Sequence, residues 1–357
     1  MALPANKLTV VGARLSYITR SKLVHAQAAR RRRTWQPDLE AKTEIPARRD
    51  SRLHRILTRL AWIAWGVGVI ATALGFTAAW IPAFDLINEA RPVDALAAVA
   101  LFLVATMLRE PPLIRPTAAL ALLQVGLLLL PWARAADSAP SAPPALRLLT
   151  FELGTANDRF DDVADYIVAS GADVVLLQEV SCTAADRLIP KLKAAFPSAF
   201  VSADNCAGQA LLAKRPWLAG GQVITGTRKP LLVWARFQLA GHAFTLTGVH
   251  LSDPLAPSEQ TADVARLLAH VSTQGAAHVV AGDFNLTPFA WKFAQLENAG
   301  LGQHATYLAT WPARWPVPLA LPDNVLSSET IAGVRVTTGP PLGSDHRPLI
   351  ADIAFVK

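Results

Sequence analysis

Residues 278–285 read "HVVAGDFN". An apolar run stops on a Gly-Asp step and is followed at once by Phe284 and Asn285. The run is too short for a helix and is bounded by a turn, so it reads as a β-strand that delivers Asp283 and Asn285 to its C-terminal end. Taken alone, Asp283 has an unremarkable reading as the cap of a following helix. The neighbouring sequence has to decide between the two.

The same arrangement recurs along the second half of the chain. "LRLLTFE" (146–152) ends in Glu152; "DVVLLQ" (173–178) runs into Gln178 and Glu179; and "LTGV" (246–249) runs into His250. The stretch "DRFDDVADYIVASG" (158–171) between the first two has helical amphipathic spacing, and "LLVWARFQLA", "HAFTLTGVHL" and "LIADIAFV" are strand-like. Strands alternating with helices over about 210 residues are enough for one layered α/β core. Polar residues at successive strand ends converge on one rim of such a sheet. The chain closes with "GSDHRP" (343–348), where Asp345 and His346 sit between a flexible Gly-Ser step and a proline.

"LLQEV", "GVHL", "GDFN" and "GSDHRP", in this order and at these intervals, resemble the endonuclease/exonuclease/phosphatase superfamily. The resemblance covers residues 146–357. Four ordered motifs are far more specific than any one of them. The resemblance implies a four-layer α-β-β-α sandwich, two packed β-sheets flanked by helices, with the active site across the top of the sandwich. It also implies hydrolysis of phosphate esters, nuclease or phosphodiesterase in type, with Mg²⁺ or Mn²⁺.

The implied roles agree with what the chemistry needs. Phosphate esters are anionic and have poor leaving groups, so the site requires a cation and a base. Glu179 supplies a hard carboxylate oxygen for the cation. Asp283 is the base or orienter of the attacking water, and Asn285 stands beside it. His250 and His346 donate to non-bridging oxygens. By the resemblance, Asp323 in "LPDNVLSS" is the carboxylate that fixes the tautomer of His346, and Asp345 sits at the metal. Two departures stand out. The superfamily places Asn where this chain has Glu152, and Asp-His where it has Asp323-Asn324. Glu152 adds negative charge at the cation and is expected to bind it; the competing expectation is a Glu152 that pairs with a nearby arginine. Zinc chemistry is not indicated, because Cys182 and Cys206 lack CxxC spacing and the remaining histidines show no ligand pattern.

The first part of the chain is of another kind. Hydrophobic residues make up 52% and charged residues 17% of the whole, unusual for a purely soluble protein. The net charge of +7 is not spread evenly. Residues 1–59 hold 14 Lys/Arg against 4 Asp/Glu, and residues 146–357 hold 16 against 18. A slightly acidic catalytic region argues against tight binding of duplex DNA. Residues 1–59 read as a basic, disordered tail, with a basic membrane-surface helix near residues 48–59 as the alternative. Residues 60–84, 93–108 and 117–133 read as three transmembrane helices, and "ADSAPSAPPA" (136–145) lies in a Pro/Ala linker spanning 134–145. The basic flank before the first span puts the N-terminus in the cytoplasm and, after three crossings, the catalytic domain outside it.

The expected partners are therefore a phosphate-ester substrate (nucleic acid, small phosphodiester or lipid head group) and the lipid bilayer. A catalytically silent binding module on the same fold is the alternative, and it would be favoured by loss of Glu179, Asp283 or His346; all three are present. A transporter is disfavoured by three short spans without internal ionisable residues. The two cysteines of the exported domain form a disulfide or remain as two buried thiols; the sequence leaves both open.

Overall fold

The computed structural model describes residues 51–134, 143–202, 206–224, 230–239, 241–304 and 308–355. The tail expected over residues 1–50 and most of the Pro/Ala linker lie outside these.

Three helices are long and apolar enough to cross a membrane: α1 (Arg52–Phe76), α3 (Arg91–Leu108) and α4 (Pro111–Arg134). The first differs from the expected 60–84 at both ends. It begins inside the basic stretch, because arginines are good helix formers even where a hydropathy window rejects them. It stops at Phe76, where Thr77 Oγ1 donates to the Leu74 carbonyl and Asn88 Nδ2 donates to the Gly75 carbonyl. A short 3₁₀ turn (Pro82–Phe84) and helix α2 (Asp85–Glu89) then lead into α3.

The remainder is an α-β-β-α sandwich. One sheet orders its strands β11-β12-β1-β2-β4-β3, with β1 (Leu146–Glu152), β2 (Val174–Val180), β3 (Ser198–Ser202), β4 (Gly208–Ala213), β11 (Ile331–Thr338) and β12 (Leu349–Phe355). The other runs β5-β6-β7-β8-β10-β9, with β5 (Ala219–Ile224), β6 (Pro230–Leu239), β7 (His242–His250), β8 (His278–Asp283), β9 (Leu301–Gln303) and β10 (Asp323–Ser328). β1 and β2 are parallel, as are β7 and β8; the other pairings are antiparallel.

Alternation along each strand builds three apolar layers. Leu148, Leu176, Val233, Leu246, Ala281 and Val325 meet between the sheets. Leu149, Phe151, Val175 and Leu177 face the outer helices α5 (Phe160–Ala169), α6 (Cys182–Arg187) and α7 (Ile189–Leu192). Val249, Val280 and Leu326 face α8 (Pro257–Thr273) and α9 (Trp291–Asn298). Strands buried on both faces explain the continuous apolar runs of the sequence. Cys182 and Cys206 are disulfide-bonded, with Cα atoms 4.5 Å apart, so the bridge and not the thiol pair is found.

Register carries the polar strand ends to one place. Glu152 aligns with Gln178 across β1 and β2, and Asp283 aligns with His250 on one side and Asp323 on the other. Gly282 makes this possible: its φ is +144°, and a Cβ there would collide with the Val249 carbonyl oxygen of the adjacent strand.

Candidate active site

Four of the expected residues form one buried cluster. Single ligand atoms of Glu152, Asp283, Asp323 and His346 all lie within 4.8 Å of one another. His346 is the centre of the set: its Nδ1 is 2.8 Å from Asp323 Oδ2, and its Nε2 is 2.9 Å from Glu152 Oε2. Thr310 Oγ1 donates to Asp323 Oδ2 at 2.5 Å. A second group, Glu152, Glu179 and His250, is as tight and less buried, so Glu152 belongs to both.

Local structure explains each placement. Glu179, next to last in β2, has φ +52° where the β2–β4 register shifts, and this turns its side chain toward the cluster rather than along the alternation of the strand. Its Oε2 accepts from the Thr155 amide at 3.0 Å. Asn285, at φ +47°, folds back on Asp283: its amide donates to Oδ1 and its Nδ2 to Oδ2, both at 2.8 Å. Both lone-pair faces of Asp283 are thereby oriented. His250 Nε2 stands 3.7 Å from Asp283 Oδ2.

Asp345 is outside both groups. It is exposed, and its Oδ2 accepts from Trp311 Nε1 at 3.0 Å. His346 is turned inward and buried, while Asp345 is exposed on the cleft wall. Glu152 meets no arginine either; its partner is His346.

The electrostatics follow from crowding. Burial raises the Asp283 carboxyl well above its usual range, and Glu152 and Asp323 push it the same way. Burial raises Glu152 too, against the pull of His346. Burial would lower His346, but Asp323 and Glu152 outweigh it and push the imidazole up to about 12. One histidine thus faces three buried carboxyls, an excess of negative charge suited to a cation. Glu152 Oε2 is buried and, despite its nearness to His346, has no aligned hydrogen-bond donor. A hard divalent ion fits such an oxygen, and Glu152 with Glu179 is the pair able to hold one.

The cluster floors a cleft of about 770 Å³. Its walls include Leu255, Trp311, Asp345 and, from the segment between the first two long helices, Glu89. The sequence reading passed over Glu89 and Trp311. The available signal for Glu89 was an acid placed between two apolar runs; Trp311 lies in an irregular loop and offered none.

A buried carboxylate–histidine set on the strand ends of a four-layer sandwich defines a hydrolase acting on phosphate esters. The chain belongs to the endonuclease/exonuclease/phosphatase family, whose model matches residues 149–346. No curated protein matches it significantly. Similar solved structures include a humanized TDP2 of D. rerio (18% identity, 58% of this chain and 98% of that one, TM-score 0.49). Sphingomyelinase C from Streptomyces griseocarneus is another (19% identity, 59% and 99%, TM-score 0.47). A beta toxin variant from Staphylococcus aureus with bound magnesium ions is a third (13% identity, 60% and 100%, TM-score 0.49).

Proposed function

We propose that the protein is a membrane-anchored phosphoesterase, dependent on Mg²⁺ or Mn²⁺, whose catalytic domain works outside the cytoplasm. The observation that carries the metal is the group Glu152, Glu179 and His250, whose ligand atoms lie within 4.8 Å of one another in a site with more carboxyls than cations. When bound there, the ion supplies positive charge against the charge that develops on the phosphate oxygens.

The side chains divide the remaining work. Asp283, held on both oxygens by Asn285, takes a proton from the water that attacks phosphorus. Asp323 accepts from His346 Nδ1 and so keeps a proton at Nε2 as well, where it serves a non-bridging oxygen. His250, at the open side of Asp283, is placed for a second such donation.

The test uses the full chain in detergent with bis(p-nitrophenyl) phosphate. Turnover is expected with Mg²⁺ or Mn²⁺, to vanish in EDTA, and to fall by about 10² in Asp283→Ala, as loss of a base does. Undiminished turnover in EDTA sinks the reading. For orientation, a reporter fused after Lys357 should be active outside the cytoplasm; activity only inside would exclude it.

A further inference from the structure

We propose that the phosphate ester hydrolysed in this cleft belongs to a lipid held in the bilayer beside helix α2, and that Glu89 contacts its head group. This rests on the phosphoesterase reading above and adds the substrate class.

Glu89 is a wall residue of the same cleft that holds Asp283 and His346, yet it stands only two positions before Arg91, where α3 begins. The cleft therefore opens where the chain enters its apolar helices. Two acidic side chains fix this geometry. Asp85 Oδ1 accepts from the Trp291 amide at 2.7 Å, and its Oδ2 accepts from the Lys292 amide and pairs with Lys292 Nζ at 3.2 Å, both side chains almost fully buried. Glu89 Oε2 accepts from the Thr287 amide at 2.7 Å, two residues beyond Asn285.

The chain of contacts continues into the long helices. Asn88 donates to Asp85 Oδ1, Arg91 donates to Asn88 and to Gln124, and Gln124 donates to Thr72. All three apolar helices are thus tied through polar side chains to the catalytic domain, so the cleft is held at a set place relative to them.

The walls suit a lipid better than a polymer. No Lys or Arg is found among the described lining residues, so a polyanion would meet no basic side chain along the walls. Leu255, 76% exposed, and Trp311 offer apolar surface inside the cleft, and Trp80, 79% exposed, lies on the segment that carries α2. Glu89 Oε1 is buried with no partner, and burial raises the carboxyl to about 8. In the reaction, water oxygen bonds to phosphorus, the P–O bond to the leaving alcohol breaks, and that alcohol takes up a proton.

The experiment compares three probes on the full chain with Mg²⁺: vesicles of phosphatidylethanolamine and phosphatidylglycerol, a single-stranded oligonucleotide, and bis(p-nitrophenyl) phosphate. Head-group or phosphate release from vesicles is expected to exceed oligonucleotide cleavage by about tenfold or more. The double variant Asp85→Ala/Lys292→Ala, which leaves no lone buried charge, should lose most vesicle hydrolysis and keep its rate on the soluble diester. Glu89→Ala should raise KM for vesicles, with Glu89→Gln restoring it. Preference for the oligonucleotide, or equal loss on both diesters in the double variant, would overturn the proposal. Hydrolysis of none of the three would overturn the phosphoesterase reading itself.

Discussion

His346 Nδ1 stands 2.8 Å from Asp323 Oδ2, and both side chains are buried. The two residues are 23 positions apart, His346 in the loop between β11 and β12 of one sheet and Asp323 at the start of β10 in the other, so the contact exists only because β10 places its first residue opposite Asp283. Asp323 touches no reacting atom in this arrangement; its charge holds the His346 ring in place and protonated on both nitrogens. Asp323→Asn should therefore keep the fold, read by unchanged circular dichroism, and lower turnover by about 10² or more through loss of the oriented, protonated ring. Turnover within a factor of a few of wild type would show that His346 needs no such orientation.

Glu152 lies in both candidate metal groups, and its Oε2 is 2.9 Å from His346 Nε2. Replacing it by Asn removes one negative charge next to Glu179 while keeping a similar shape. Glu152→Asn is expected to remain active and to require more Mg²⁺ for half-maximal rate. A titration identical to wild type would place Glu152 away from the cation.

The sandwich was legible because both its signals are local: β-rich runs, and polar residues where each run stops. Glu152, Glu179, His250 and Asp283 follow from that rule, since the rim of a sheet is where strand ends gather. Asp345 and His346 both reach the cleft, and nothing in "GSDHRP" says that His346 is the buried one and Asp345 the exposed one. The end of α1 was illegible for a related reason, as Asn88 takes up the Gly75 carbonyl from 13 residues away. The docking of Asp85 on Lys292 spans 207 residues and leaves no periodic trace.

The disulfide yields a stability prediction. Cys182 and Cys206 enclose a loop with a sequence separation of 24. Restricting a loop of that length in the unfolded chain contributes about 3 kcal/mol on the chain-entropy account. Cys182→Ser/Cys206→Ser should lower the unfolding free energy of the chain by about this amount, measured by denaturant titration in detergent. A change well under 1 kcal/mol would mean that strain in the folded loop cancels the constraint.

A buried histidine, His278, and a half-buried one, His304, set the response to acid. His278 and His304 are both lowered from 6.5 to about 4, chiefly by burial; His270 adds to the effect at His278. Their neutral rings are held by Thr247 and Ser327, at 2.9 and 2.8 Å. The unfolded chain takes up protons at these positions from pH 6.5 downward, whereas the folded chain resists until about 4. Their contribution is therefore fully present above pH 6.5 and is lost as pH falls toward 4. The raised carboxyls of Glu152 and Asp283 act in the opposite sense, so the informative quantity is a difference. His278→Gln/His304→Gln should lose less stability than wild type between pH 7 and pH 5, read from denaturation midpoints. Parallel losses in the two proteins would show that neither ring is protonated on unfolding in that range.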